Sequence, residues 1–203
     1  MFISFEGIEG SGKSTVMAVI ERALREEGHE VVVTREPGGT PAGDAAREIL
    51  LHRRDVAINP LTELMLMNAS RAQLVSDVVR PALARGAVVL CDRYVHSSLA
   101  YQGYGRGLSL DLVRAVCDAA TGRLMPELTL LIDVSYETSR ARIAERNQNH
   151  DRMEREAEEF HRRVREGYLE LARHDERFVR IDGERAPEEV ADAAMAALSA
   201  VLA

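Results

Sequence analysis

The stretch that most limits what this chain can become is GIEGSGKST, residues 7 to 15. Gly7, Gly12, Lys13 and Ser14 occupy the fixed positions of Gly-x-x-x-x-Gly-Lys-Ser/Thr, a pattern whose glycines let successive backbone N–H groups turn inward around an anion. The flanks decide whether the match means anything. Phe2-Ile3-Ser4-Phe5 before it is short, apolar and suited to a buried strand. After it, TVMAVIERALREE places Val16, Val19, Ile20, Ala23 and Leu24 at helical spacing. A strand feeding a glycine loop that opens a helix also puts the helix's positive end where the N–H groups converge. Gly7, Ile8, Glu9, Gly10, Ser11, Gly12, Lys13, Ser14 and Thr15 are therefore expected to hold nucleotide phosphates. Lys13 would reach the β- and γ-phosphates and the Ser14 hydroxyl would ligate Mg²⁺.

The rest of the chain repeats the same alternation. Gly28 ends the first helix, Val31 to Val33 reads as a second strand, and the turn-rich TREPGGTP follows it. A helix is predicted over 42–52. Another is predicted from Asn59-Pro60 to about Ala84, with Pro81 as a kink. Ala87–Cys91, Leu128–Ile132 and Phe178–Ile181 read as strands. Between and after them, helices are predicted from the Ser109 cap to about Ala120, from Ser135 to about Glu145, over 151–173, and from Pro187 to Leu202. Short strands that are apolar throughout, alternating with helices, specify an α/β fold with a five-stranded parallel sheet wrapped by helices. One domain over residues 1–203 is expected. Ligands in such sheets gather at the carboxyl ends of the strands, which draws together the glycine loop, Arg35-Glu36 and Asp92-Arg93.

Composition narrows the partners. A net charge of −7 argues against nucleic acid or an acidic membrane surface, so basic clusters must be local and serve phosphates. Cys91 and Cys117 sit in apolar runs and form no close pair, which fits a reduced, cytoplasmic protein. The start MFISFEG lacks the features of a signal peptide, and no run is long enough to span a membrane.

Several side chains carry chemistry. Asp92 closes the apolar strand AVVLC, where phosphate-loop proteins place the acid that holds Mg²⁺; the alternative is a strand-end turn aspartate. Arg35 and Arg93 stand just beyond two strands on the same edge, and the arginine fork suits a second phosphate. Glu9 is a carboxylate inside a phosphate loop, so it either points to solvent or accepts a hydrogen bond from a substrate hydroxyl or metal-bound water. Arg140, Arg142, Arg146, Arg152 and Arg155 flank the break at Asn147–Asn149. A two-helix flap of this kind, over about 140–155, is what a phosphoryl-transfer lid requires. The histidines show no ligand spacing.

FEGIEGSGKST, TREPGGTP, Arg71, DRYVHSSLAYQG and the DRME of 151–154 together resemble the thymidylate kinase family over nearly the whole chain. The resemblance implies a phosphate-loop nucleoside monophosphate kinase fold, transfer of the γ-phosphoryl group of ATP to dTMP, Mg²⁺ and a homodimer. It further implies that Arg35 and Arg93 hold the dTMP phosphate, that Arg71 hydrogen-bonds thymine, and that Ser97 and Ser98 lie along the base pocket. Glu36, Pro37 and Gln102 belong to the same acceptor segments. Tyr101 would pack near the sugar and disfavour a 2′-hydroxyl, and Glu9 would face the 3′-hydroxyl.

The lid's Asn147-Gln148-Asn149-His150 and Met67 depart from the family's pattern, while the phosphate loop marks the bacterial subtype. Gly10-Ser11 occupies the place where one subtype carries a transition-state arginine, so that charge is expected from the lid: Arg146, with Arg142 nearer the adenine. Met67 replaces the phenylalanine usual over the base. The attacking phosphate oxygen, with a second pKa near ~6, is already ionised at neutral pH and needs no general base. Lys13, Mg²⁺ and the arginines are expected to supply catalysis by electrostatics and positioning. A kinase of another nucleoside monophosphate or of a deoxynucleoside is the nearest rival. A GTPase-like switch would want Asn-Lys-x-Asp and Asp-x-x-Gly motifs, and the chain has neither.

Overall fold

The computed structural model describes residues 1–53, 55–145 and 151–202. Five parallel strands, β1 (Phe2–Glu6), β2 (Val31–Arg35), β3 (Val88–Asp92), β4 (Leu128–Asp133) and β5 (Phe178–Asp182), stand in the order β2-β3-β1-β4-β5. β1 is central and buried at every residue, with Ile3 and Phe5 on one face and Phe2, Ser4 and Glu6 on the other. The first strand therefore feeds the glycine loop out of the middle of the sheet. The carboxyl-terminal residues of β1, β2 and β3 are Glu6, Arg35 and Asp92, with Arg35 paired in register with Asp92.

On one face of the sheet, α1 (Lys13–Glu26) and α9 (Pro187–Leu202) pack through Val16, Ile20, Leu24, Val190, Ala194 and Leu198 against Ile3, Phe5, Leu90 and Leu130. On the other, Leu64 and Leu74 of α3 (Pro60–Leu74) and Val113 and Cys117 of α6 (Leu110–Thr121) meet Phe2, Val89 and Cys91. A third cluster, with Ile8, Leu50, Leu51, Tyr101, Phe160, Val164 and Tyr168, joins α8 (Glu158–His174) to the turns above the sheet edge. It shuts water out beside the glycine loop.

Local chemistry sets the helix starts. Thr40 accepts from the Gly43 amide at 3.0 Å ahead of α2 (Pro41–Arg47), and Asn59 accepts from Thr62 at 2.8 Å ahead of α3, each with proline in the first turn. Pro81 does not break the long helix. The chain widens to a π-helical turn at Val75–Val79 and resumes as α4 (Arg80–Ala84), which accommodates a residue with no N–H to donate.

Four sequence expectations need correction. Strands β3, β4 and β5 each extend one residue further, to a terminal aspartate. Ser109 precedes α6, but its hydroxyl makes no capping bond. The segment after Asp92-Arg93, to which the sequence assigned no element, forms α5 (Val95–Ser98) and a π-helical turn at Leu99–Gly105. The charged helix expected from 151 begins only at Glu158. The Asp151 side chain instead captures the Glu154 amide at 2.9 Å, while the Glu154 side chain accepts from the Asp151 amide. This local bonding competes with the helix.

Candidate active site

A cavity of about 240 Å³ opens at the carboxyl ends of β1, β2 and β3. One wall holds Glu9, Gly10, Gly12, Lys13 and Ser14 of the glycine loop; Arg35, Glu36, Pro37, Arg47, Asp92 and Arg93 form its middle. The far wall is Met67, Ser97, Tyr101, Gln102 and Glu63, under a roof of Asp151, Arg152 and Met153.

Two glycines make the loop possible. Gly12 takes φ 101° at the start of α1, a left-handed conformation that side chains resist. Gly7, at φ 137°, lies so close to the Ile132 carbonyl that a Cβ would collide with it. Lys13 is 7% exposed, and its ammonium donates to the Gly7 and Ile8 carbonyls at 3.1 Å each. Burial, and then the charge of Arg93, lower the ammonium's pKa to about 8, against the pull of Asp92 and Glu9. In the free enzyme, kcat/KM for ATP is therefore expected to be level below about pH 8 and to fall above it as Lys13 loses its proton. kcat, which reports the complex with phosphates around Lys13, should hold to higher pH. A kcat/KM profile flat to about pH 9.5 would overturn this account.

Glu9 does not point to solvent. Its side chain is 14% exposed and accepts from Arg93 at 2.9 Å and from the Tyr101 hydroxyl at 2.7 and 2.8 Å. Burial works to raise its pKa, but the charges of Arg93 and Lys13 prevail and lower it. The apparent oddity of an acid in a phosphate loop thus resolves as a neutralised pair. Arg93 itself is left-handed at φ 71°, an uncommon backbone for a side chain. Its guanidinium lies over the Tyr101 ring at 5.0 Å and also donates to Tyr168 at 3.1 Å. The Tyr168 hydroxyl in turn bonds Glu6 at 2.7 Å and Ser97 at 2.8 Å. Ser97 touches the cavity, yet its hydroxyl is committed to Glu6 at 2.6 Å.

Asp92 and Ser14 both line the wall, and Asp92 Oδ1 is buried with no partner. Such an orphan acceptor sharing that wall with an exposed hydroxyl fits a hard cation that keeps water and phosphate ligands. Among the described residues no group of three or more His, Cys, Asp or Glu forms a dedicated metal cage.

Arg71 and Ser98 are not in the cavity wall. Arg71 is fully buried behind it, donating to Glu36 at 2.8 Å, Asn68 at 2.8 Å, Ser98 at 3.0 Å, Cys117 at 3.3 Å and the Tyr94 carbonyl at 3.0 Å. Burial opposes its charge, but Glu36, by charge and hydrogen bond, together with Cys117 and Tyr94 more than offsets that. Burial also pushes the Glu36 carboxyl up to about 7, against Arg71. Glu36 Oε1 is left unpartnered. Met67 is half-buried, lines the wall and packs against the cluster of Leu50, Leu51 and Tyr101, while Met65 is 54% exposed.

Gly7, Ile8, Ser11, Thr15 and Arg142 flank the cavity without lining it. Arg142 donates to the Ser11 carbonyl at 3.3 Å and to Gly183 at 2.9 Å, bridging the glycine loop to the β5–α9 turn. Arg146 lies outside the described residues, as does the Asn147–Asn149 break. Of the other arginines around that break, Arg140 holds the Glu154 carbonyl at 2.9 Å and Arg155 is exposed, while Arg152 reaches Glu63 at 2.7 Å.

The family model described as thymidylate kinase matches residues 5–194. The chain belongs to the thymidylate kinase family. It is 52% identical over 200 residues to the thymidylate kinase of Deinococcus radiodurans, covering 98% of this chain and 96% of that protein. The thymidylate kinase of Geotalea uraniireducens is 47% identical over 208 residues, covering 100% and 98%. The crystal structure of thymidylate kinase from Ehrlichia chaffeensis superposes with a TM-score of 0.74 at 33% identity, covering 89% of this chain and 91% of that one.

Sequence reasoning missed three groups in this kinase. Arg47 joins Arg35 and Arg93 in the wall, held by the Pro37 carbonyl at 3.0 Å. Tyr168 arrives from α8, far along the chain, and no local signal marked it. Glu63 did carry one: it lies four residues before Met67 and eight before Arg71, on the same helix face. No helix among the described residues is long and apolar enough to cross a membrane.

Proposed function

We propose the following division of labour for the reaction of this dTMP kinase, which passes the γ-phosphoryl group of ATP to dTMP and gives dTDP and ADP on the way to dTTP. ATP sits with its phosphates on residues 7–15, Lys13 reaching across the transferred group, and its adenine side lies toward Arg142. The acceptor phosphate rests between Arg35, Arg47 and Arg93, and the base extends to Met67 and Gln102. The observation that carries this reading is one cavity with the glycine loop at one end, an apolar and amide wall at the other, and arginines from β2, α2 and the β3 edge between them.

Chemistry follows from charge. The acceptor oxygen is already anionic, so the residues have only to bring two anions together and neutralise what develops. Glu9, held by Arg93 and Tyr101, keeps a lone pair for the sugar 3′-hydroxyl, and the Tyr101 ring fills the space a 2′-hydroxyl would need. Ser14 and Asp92 would hold Mg²⁺, which when bound neutralises phosphate charge. Arg146, from the lid, supplies the further positive charge at transfer. Arg71 reaches thymine only by giving up one of its buried partners, so its first duty is to brace Glu36.

The chain functions as a single kinase domain in the cytoplasm, and as a homodimer. Leu61 and Met65 on α3 and Leu112 on the neighbouring α6 are exposed large apolar side chains that suit such a contact. Initial rates with dTMP, dUMP, dCMP, AMP and thymidine test the acceptor assignment. dTMP is expected to be fastest and thymidine, which offers the arginines nothing, to be inert. Turnover of thymidine at a rate comparable with dTMP would remove the acceptor phosphate from the arginine cluster.

A further inference from the structure

Glu63 is 1% exposed and takes no direct part in the chemistry above. Its two oxygens are divided between two tasks. Oε2 accepts from Arg106 at 3.0 Å and Arg152 at 2.7 Å, which ties the roof segment to α3. Oε1 accepts from the Gln102 amide nitrogen at 2.7 Å, with a longer contact from Arg106 at 3.3 Å. Burial works to raise the Glu63 pKa, but hydrogen bonds from Arg106 and Gln102 and the charges of both arginines lower it.

An ionised carboxylate can only accept, so it dictates which way the Gln102 amide turns. The nitrogen must face Glu63 and the oxygen must face away. Gln102 Oε1 is buried without a partner, and Gln102 is a wall residue of the cavity beside Met67. A buried orphan acceptor calls for a donor from a ligand. Resting on the reading of this end as the base pocket, we propose that Glu63 is a specificity-positioning residue. By locking the amide of Gln102, it presents Oε1 to a ring N–H of the base. Thymine carries a hydrogen on N3. Cytosine has a lone pair there, which would meet the Gln102 oxygen head-on.

The test compares dTMP with its N3-methyl analogue, which keeps both ring carbonyls and has no N3–H to donate. In the wild-type enzyme kcat/KM should be lower for the analogue by about fivefold or more, the worth of one hydrogen bond. Glu63→Gln offers the amide both a donor and an acceptor, so Gln102 can reverse and the penalty should shrink to about twofold or less. Glu63→Asp keeps the charge that Arg106 and Arg152 need but withdraws the carboxylate by one methylene. It should relax the penalty in the same way, and serves if Glu63→Gln folds poorly. Gln102→Leu should abolish the penalty, and adding Glu63→Gln to it should change the ratio no further. A penalty lost in Gln102→Leu but intact in both Glu63 variants would overturn the role given to Glu63 and leave the base pocket standing. A penalty intact in Gln102→Leu would instead overturn the reading of Gln102 as a wall of that pocket.

Discussion

Lys13→Ala is expected to lower kcat by about 10³-fold or more, since single preorganised charges at phosphoryl and oxyanion sites carry that much of the barrier. The ammonium is the positive side chain of the loop that lines the donor end of the cavity, and its bonds to Gly7 and Ile8 hold it in place before any phosphate arrives. Its loss from the folded state should be mild. The two carbonyls lose a donor, worth about 1 kcal/mol each, and Lys13 belongs to none of the three apolar clusters. Single-turnover rates and melting temperature on the same variant separate chemistry from stability. A near wild-type rate would remove the glycine loop from phosphate binding altogether.

Arg71→Met should act the other way, on stability before activity. Removing one member of a fully buried pair leaves Glu36 desolvated without its counter-ion, a loss of about 3–5 kcal/mol. For a chain of this size that corresponds to a fall in Tm of about 6–20 °C. Arg71→Lys should not rescue it, because an ammonium cannot serve acceptors spread over Glu36, Asn68, Ser98 and the Tyr94 carbonyl. Pairing Arg71→Met with Glu36→Gln should recover part of the loss, since an amide needs no counter-ion and no uptake of a proton. Tm, together with KM for dTMP, decides between the two duties. An unchanged Tm with a raised KM would make Arg71 a base contact first and a brace second.

What the sequence determined by itself is what adjacent residues decide among themselves. GIEGSGKST lies between an apolar strand and an amphipathic helix, and that succession leaves the backbone no other economical path, so the loop and the helix it opens were legible. Arg35, Asp92 and Arg93 were legible because each follows an apolar run short enough to be a buried strand, and strand ends of a parallel sheet share one edge. Glu9 was legible only as a question, because its partners Arg93 and Tyr101 lie 84 and 92 residues away. Tertiary structure decided the rest. It set Tyr168 behind Arg93, turned Arg71 away from the cavity into a buried ion pair, and divided the oxygens of Glu63 between a roof and an amide. The helix onset at Glu158 and the π-helical turn at Leu99–Gly105 also escaped the pattern. In the first, side chains bond the backbone locally, and in the second a turn buried on nearly every side mixes apolar residues with Gln102 and glycines and has no period to read. Periodicity reports burial along one element. Which charge meets which across elements is settled only when the sheet brings their ends together.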